Sequence, residues 1–483
     1  MTKPIIAALL IFLTTSCTLG PDYRRPTIET PSAWRLEEGE SREVVNTLWW
    51  EQFEDLVLNS LIVTALQENK EIRLAAFRVE EFLGRYGFVR STLFPQVNAL
   101  ALGQQKRVTE YSNPPWPSTA DNPYSDYQAL LSASWEIDLW GKLRRASEAA
   151  RAELLSTEEA RRAVILTVVT AVAVAYTDLR DLDKQLEIAQ RTAQSRQEAF
   201  DLFQLRFDRG LISELELKQI ESEVQATLVT VASLQKAIVQ QENALSLLLG
   251  RNPSPIRRGK TVDDLVLPEV PAGIPSQLLG RRPDIRRAEQ DLIAANARIG
   301  VARALYFPTI SLTGFLGLES NDLSKLFSGA ARNWNYAASF TQPVFTAGGI
   351  AGTVKATEAV QQQASTRYQQ TIQNAFREVE DALIDQAKSR EQLMFQKKQL
   401  EALRGYFSLA KIRYANGYTS FLEVLDAERG LFNTELSYTQ TQGLLFRALI
   451  NLYKAMGGGW VVEADKLTGV DQPRLSPSEV NGP

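Results

Sequence analysis

The residues that could do chemistry in this 483-residue chain are few, and the absences narrow the choice quickly. Histidine does not occur at all, which removes the commonest general base, proton switch and metal ligand. Three methionines and one cysteine offer no soft-metal relay, so neither a metal nor another cofactor is expected. Acidic residues are plentiful but fall on helix surfaces with no phosphate loop to organise them, so catalysis is not expected. Gly348-Gly349-x-x-Gly352 follows a strand pattern and opens a helix, loosely like a dinucleotide loop. That fingerprint needs a parallel βαβ unit, and a strand-to-helix corner is expected instead. The net charge of -4 and pI near 5.5 give no clustered basic surface for nucleic acid.

The lone thiol, Cys17, is different because of where it stands. Lys3 and the apolar run Ile5 to Leu13 make a signal peptide over residues 1–16, too short to span a bilayer, and Thr14, Thr15 and Ser16 precede the cysteine. A structural disulfide is impossible with one cysteine. Its placement resembles the lipid-accepting cysteine of a bacterial lipoprotein, although Thr14 stands three residues before it where such signals carry leucine. Thr18 follows, and the lack of aspartate there fits outer-membrane sorting.

The elements that must position everything else come in two copies. Ile72-Arg73, Ala75, Arg85, Gly87, Arg90 and Phe94-Pro95 lie over Ile285-Arg286, Ala288, Arg298, Gly300, Arg303 and Phe307-Pro308 without a gap. Further on, Arg206-Phe207-x-x-Gly210-x-x-Ser213 lies over Arg413-Tyr414-x-x-Gly417-x-x-Ser420 at an offset of 207 residues (413 − 206). Apolar residues recur in register: Val424, Leu431, Tyr438, Leu445 and Leu452 repeat Leu217, Val224, Val231, Ile238 and Leu245. Leu393, Leu400, Leu403, Phe407, Ala410 and Tyr414 show the spacing of a coiled-coil seam. Their counterparts are Leu186, Ala193, Arg196, Phe200, Phe203 and Phe207, with Arg196 as the mismatch. Both stripes read as packing surfaces.

Each half therefore reads as a helix, a strand pair and two long helices. After an N-terminal segment and short helix (17–68), repeat 1 is assigned to 69–250, with strands at about 96–107 and 126–139 and helices at about 141–207 and 213–249. A Pro-rich linker covers 251–281. Repeat 2 is assigned to 282–457, with strands at about 309–319 and 332–345 and helices at about 349–414 and 420–456. A C-terminal tail covers 458–483 and is expected to be disordered after Trp460. At ~1.5 Å per residue the longest helices approach ~100 Å, so they must pack side by side, turning at Gly210 and Gly417.

From Tyr127 the strand alternates Tyr127, Ala129, Leu131, Ala133, Trp135, Ile137 and Leu139 against Gln128, Leu130, Ser132, Ser134, Glu136 and Asp138. Trp334, Tyr336, Ala338 and Phe340 oppose Asn333, Asn335, Ala337, Ser339 and Thr341, and Ile310, Leu312, Leu316 and Leu318 make a further apolar file. The strand from Val97 is poorly patterned. Such faces suit a transmembrane barrel around water; alternation alone favours a soluble sandwich with one buried face. Four strands cannot close a barrel, which needs at least about eight, so several chains would each give a share. Asn113-Pro114-Pro115-Trp116-Pro117 and the stretch from Ser320 to Ala331 read as outward loops. A structural periplasmic coiled-coil lipoprotein is the alternative, and it leaves the strand faces unexplained.

Further motifs follow in order: Cys17-x-x-Gly20-Pro21-Asp22-Tyr23-x-x-Pro26, Trp49-Trp50-x-x-Phe53-x-Asp55 with Leu58, Leu61-Ile62 and Ala65-Leu66, then Gly280-Arg281-Arg282-Pro283-Asp284-Ile285, Leu425-Asp426-Ala427-x-Arg429 and Gly457-Gly458-Gly459-Trp460. Together they resemble the TolC-type outer membrane factors, in their NodT or OprM-like lipoprotein branch. The resemblance implies a mainly α fold with a β-barrel: a homotrimer whose 12-stranded transmembrane barrel continues into a 12-helix periplasmic barrel with a mixed equatorial region. It implies an exit duct of a tripartite efflux pump, docked to a periplasmic adaptor and an inner-membrane transporter, usually proton-driven (RND type). It also places a periplasmic gate at Leu422, Asp426 and Arg429, spaced along one helix face, with Asp426 and Arg429 bridging neighbouring helices. The first repeat carries Gln219 and Ser222 where the second has Asp426 and Arg429. Arg206, Gly210, Arg413 and Gly417 become candidates for adaptor-docking tips.

Overall fold

The computed structural model describes residues 18–31, 33–35, 48–111, 113–114, 116–117, 119, 121–268, 278–457 and 459–469. Cys17 and the signal peptide assigned to 1–16 lie outside them. In chain order the elements are α1 (Leu56–Glu68), α2 (Lys70–Ser91), β1 (Gln96–Lys106), β2 (Tyr124–Ile137), α3 (Lys142–Asp208), α4 (Glu214–Leu248), α5 (Leu278–Arg281) and α6 (Pro283–Ala304). Then follow β3 (Thr309–Ser320), β4 (Arg332–Thr341), α7 (Gly349–Ala415), α8 (Phe421–Ala455) and α9 (Trp460–Lys466). The long helices match between halves: α3 and α7 have 67 residues each, α4 and α8 have 35 each.

Local chemistry sets the boundaries. The Asp55 carboxylate caps α1 by accepting from the amides of Val57 and Leu58. Phe94-Pro95 and Phe307-Pro308 stop α2 and α6, because the residue before proline is pushed out of helical geometry. Each helix frays through the same tight bonds, Phe94 N–H to Ser91 O and Phe307 N–H to Ala304 O. β2 begins two residues before its expected start, directly after Asn122-Pro123, and ends two before its expected end, where Leu139 N–H bonds back to Ile137 O. β4 stops at Thr341, short of the expected 345, since Pro343 has no N–H to give a ladder. The glycine motif at 348 is a corner: Gly348 has φ +83° and Gly349 N–H bonds to Thr346 O at 2.9 Å.

The chain forms two compact units. One comprises Met1–Thr27, Glu80–Thr157 and Ala288–Tyr368 and contains the sheet, whose order is β1-β2-β3-β4 with every pair antiparallel. Directly paired residues share a face. The register puts Val97, Ala133 and Gly314 in one row, Ala99, Leu131, Leu316 and Trp334 in another, and Ile137, Ile310 and Phe340 in a third. Asn98, Ser132, Phe315 and Asn335 form a row on the opposite face. The poorly patterned first strand thus joins the apolar face through Val97, Ala99 and Ala101.

That apolar face is open. Leu131 is 55% exposed, Leu316 63%, Trp334 64% and Phe340 69%, and among the described residues β1 and β4 are paired on one side only. A soluble sandwich buries such a face; this one does not.

The other unit comprises Ile28–Val79, Glu158–Arg287 and Gln369–Pro483. Its main core sets Trp49 and Trp50 of a short 3-10 turn against Tyr453 and Trp460, with Trp49 stacked on Tyr453 at 4.9 Å and Trp50 edge-on to Trp460 at 5.5 Å. The apolar middle of α3, from Ile165 to Leu179, lies in this core. The disorder expected after Trp460 is corrected at its start, where the chain is helical to Lys466. α9 buries Trp460, Val461 and Ala464, and Asp465 meets Arg161 of α3 at 2.6 Å with both side chains buried. The Pro-containing composition of the full tail hid this short apolar segment.

Candidate functional site at the helix returns

The two long hairpins turn by the same device. Gly210 and Gly417 adopt φ +69° and +75°, the left-handed region open to glycine. In each, the next residue reaches back five places: Leu211 N–H to Arg206 O and Tyr418 N–H to Arg413 O, both 2.9 Å. The glycine amides bond three places back, to Phe207 O and Tyr414 O. These are Schellman closures. Ser213 and Glu216 then start α4 with a reciprocal capping box. Beside the returns, Phe203, Leu217, Ile220, Ala410, Phe421, Val424, Leu425 and Ala427 from α3, α4, α7 and α8 make a shared apolar cluster. Arg206 lies over the Phe203 ring at 5.8 Å, and Arg413 stands 3.6 Å from Glu423.

Just above this cluster α8 carries Leu422, Asp426 and Arg429, all exposed. Leu422 is 53% exposed and has no role in the local core. Asp426 lies near the Tyr406 hydroxyl of α7, which burial and then the Asp426 charge push above its usual range. Arg429 reaches Glu223 of α4 instead, its Nε and Nη2 each 2.6 Å from Oε1. The partner of Arg429 therefore lies within the same chain and in the first repeat. Sequence reasoning missed Glu223, because a carboxylate on a mostly polar helix looks like many others.

Arg196 is no gap in the packing stripe: it is the centre of a buried ionic cluster, with a side chain only 3% exposed. Its Nη1 is 3.0 Å from Glu223 Oε2, 2.7 Å from Thr227 Oγ1 and 3.1 Å from the Glu223 carbonyl. Its Nε lies 3.7 Å from Glu428 Oε2, and the guanidinium sits 5.5 Å from the Phe432 ring centroid. A buried charge on a coiled-coil seam requires a counter-charge, and that requirement was the available signal for Glu223 and Glu428. Burial pushes the Glu428 carboxyl above its usual range, with Glu223 adding to the rise while Arg196 and Lys411 oppose it.

No group of three or more His, Cys, Asp or Glu side chains suited to a metal occurs among the described residues. At the other end of the sequence, Thr18 packs against Gly141, and Leu19 N–H donates to Trp140 O at 3.1 Å. Asp22 pairs with Arg145 at 2.6 Å and Arg25 with Glu289 at 2.5 Å, so the segment just after Cys17 is fastened to the sheet-bearing unit.

A four-stranded sheet with open edges and an exposed apolar face, in a chain otherwise built of long paired helices, defines a subunit of a membrane channel. Residues 61–251 and 274–458 match the outer membrane efflux protein family, and the chain belongs to that family. It is 35% identical over 467 residues to the solvent efflux pump outer membrane protein SrpC of Pseudomonas putida, covering 95% of this chain and 98% of that one. It is 36% identical over 466 residues to the cation efflux system protein CusC of Escherichia coli, with the same two coverages. Among solved structures, the Campylobacter jejuni outer membrane channel CmeC superposes with a TM-score of 0.87 at 25% identity, over 93% of this chain and 99% of that one. CusC superposes with a TM-score of 0.81 at 35% identity, over 92% and 100%. The protein is the outer-membrane channel of a tripartite efflux pump, a conduit and not an enzyme.

Proposed function

We propose that three copies of this chain close a 12-stranded barrel in the outer membrane, continued by a 12-helix periplasmic barrel, and conduct cargo passively outward. The observation that carries this reading is the sheet: four strands with two open edges and an apolar face of exposed Leu131, Leu316, Trp334 and Phe340. One chain cannot close such a barrel. Acylation of Cys17 anchors the protein to the inner leaflet of that membrane, since Thr18 is held at the β2–α3 corner beside Gly141.

At rest the periplasmic end is shut by α8. Three Leu422 side chains form an apolar constriction, and Asp426 and Arg429 hold each α8 to neighbouring helices, Arg429 through Glu223. With Arg429 47% and Glu223 10% exposed, the pair is open to water on the arginine side, which suits a latch opened by a partner. The returns at Arg206, Gly210, Arg413 and Gly417 dock a periplasmic adaptor, which couples the duct to a proton-driven inner-membrane transporter of the RND type. The transporter chooses the cargo. Relatives named for solvents and for cations stand at 35% and 36% identity to this chain, as expected if the duct itself does not select.

The test replaces both latch residues, Asp426→Ala with Arg429→Ala, in protein reconstituted into planar bilayers. Higher single-channel conductance and greater cellular sensitivity to large antibiotics are expected, whereas unchanged conductance would sink the gate. For the assembly itself, a monomer in the soluble periplasmic fraction in place of a heat-modifiable trimer would overturn the reading.

A further inference from the structure

We propose that Arg196 is a positioning residue for the latch: it holds Glu223 in place so that Arg429 can close on it. The inference rests on the gate reading above and extends it to a residue that does not face the aperture. Glu223 divides its two oxygens between two arginines, Oε2 to Arg196 at 3.0 Å and Oε1 to Arg429 at 2.6 Å. The first contact is buried, with side chains 3% and 10% exposed; the second is open on the arginine side, with Arg429 47% exposed. One arginine is thus fixed and the other free to leave.

Arg196 is fixed for identifiable reasons. Thr227 and the Glu223 carbonyl accept from its Nη1, and Phe432 of α8 covers its guanidinium face. Those contacts join α3, α4 and α8. The groups facing Glu223 are Arg196 from α3 and Arg429 from α8, with Glu428 of α8 beside Arg196 and Lys411 of α7 near Glu428. Without Arg196, Glu223 loses the buried contact that fixes its Oε2, and its Oε1 is no longer held towards Arg429. The second repeat has no equivalent. Leu403 replaces Arg196 and Gly430 replaces Glu223 at the same 207-residue offset (403 − 196 and 430 − 223).

The experiment compares Arg429→Ala, Arg196→Met, Arg196→Lys and the double variant Arg429→Ala with Arg196→Met as trimers in planar bilayers. Arg196→Met is expected to raise conductance in the same direction as Arg429→Ala, and the double variant to add nothing further, because both act on one contact. Arg196→Lys keeps the charge and is expected to keep the low conductance. If Arg429→Ala leaves conductance unchanged, the gate reading itself fails. Should Arg429→Ala open the channel while folded Arg196→Met trimers stay closed, the positioning role is overturned and Arg196 only packs. If Arg196→Met yields no trimer, Thr227→Val is read in its place. It removes one 2.7 Å hydrogen bond from Arg196 and leaves all charges, and an unchanged conductance there likewise overturns the proposal.

Discussion

Glu223 and Gly430 occupy the same place in the two repeats, 207 residues apart (430 − 223), and they make opposite kinds of seam. Glu223 meets the buried Arg196, whereas a Cβ built on Gly430 would stand 3.2 Å from Leu403 Cδ2, the counterpart of Arg196. The consequence is an asymmetric sensitivity to small substitutions. Glu223→Ala strands a buried guanidinium and should cost about 3 kcal/mol or more. Gly430→Ala gains roughly 1 kcal/mol of helix propensity against a mild crowding that the half-buried Leu403 side chain relieves by a small shift. Its net effect should stay within about 1 kcal/mol. The temperature at which detergent-extracted trimers collapse to monomers separates the two, and equal shifts would contradict the seam assignment.

A second asymmetry concerns Asp181 on α3, which faces Gly443 on α8. A Cβ on that glycine would come within 3.1 Å of the Asp181 carboxyl carbon. Gln185 donates to Oδ2 at 3.0 Å, while Oδ1 is buried with no hydrogen-bond partner among the described residues. Burial pushes this carboxyl from 3.8 up to about 6; the neighbouring Asp178 adds to the rise, and Gln185 and Arg447 oppose it. The folded state therefore binds this proton more tightly than the unfolded chain. Stability from this group falls as pH climbs from about 4 to about 6 and is level above, a penalty on the order of 3 kcal/mol at neutral pH. Asp181→Asn should raise the trimer collapse temperature near pH 7, and the gain should vanish near pH 4. A pH-independent difference would show that the carboxylate is not the cause.

Periodicity and punctuation made much of this fold legible before any coordinates. The 207-residue offset marks both returns because a Schellman closure needs glycine at one fixed place, and Phe-Pro marks both helix ends because proline acts on its immediate neighbour. Alternation also gave the two strand faces, since side-chain direction in a strand is purely local. What stayed hidden was non-local. Arg196 looked like a defect because its partners Glu223 and Glu428 lie on other helices, 27 and 232 residues away (223 − 196 and 428 − 196). Arg429 was paired with neighbouring helices in general, whereas its acceptor is one carboxylate in the first repeat. The start of the tail was misjudged for a related reason: α9 has seven residues, too few for a period to show, and it is held by Trp49, Trp50 and Arg161 from distant segments.

The strand faces supply the last prediction, which tests the membrane assignment itself. Leu131 of β2 sits directly opposite Leu316 of β3 on the apolar face, and the next residues along, Ser132 and Phe315, sit opposite each other on the other face. If the apolar face meets lipid, an arginine there has no water to solvate it. Leu131→Arg or Leu316→Arg should then cost ~2–4 kcal/mol near the bilayer midplane. Ser132→Arg, one residue away, would point into a water-filled lumen and should be tolerated, altering ion selectivity rather than assembly. The measurement is the yield of heat-modifiable trimer from outer membranes, followed by ion selectivity of the surviving channels. A soluble sandwich burying the same face would also reject Leu131→Arg, but it would leave no current for Ser132→Arg to change. A selectivity shift in Ser132→Arg together with lost assembly in Leu131→Arg is therefore the outcome that only a barrel produces.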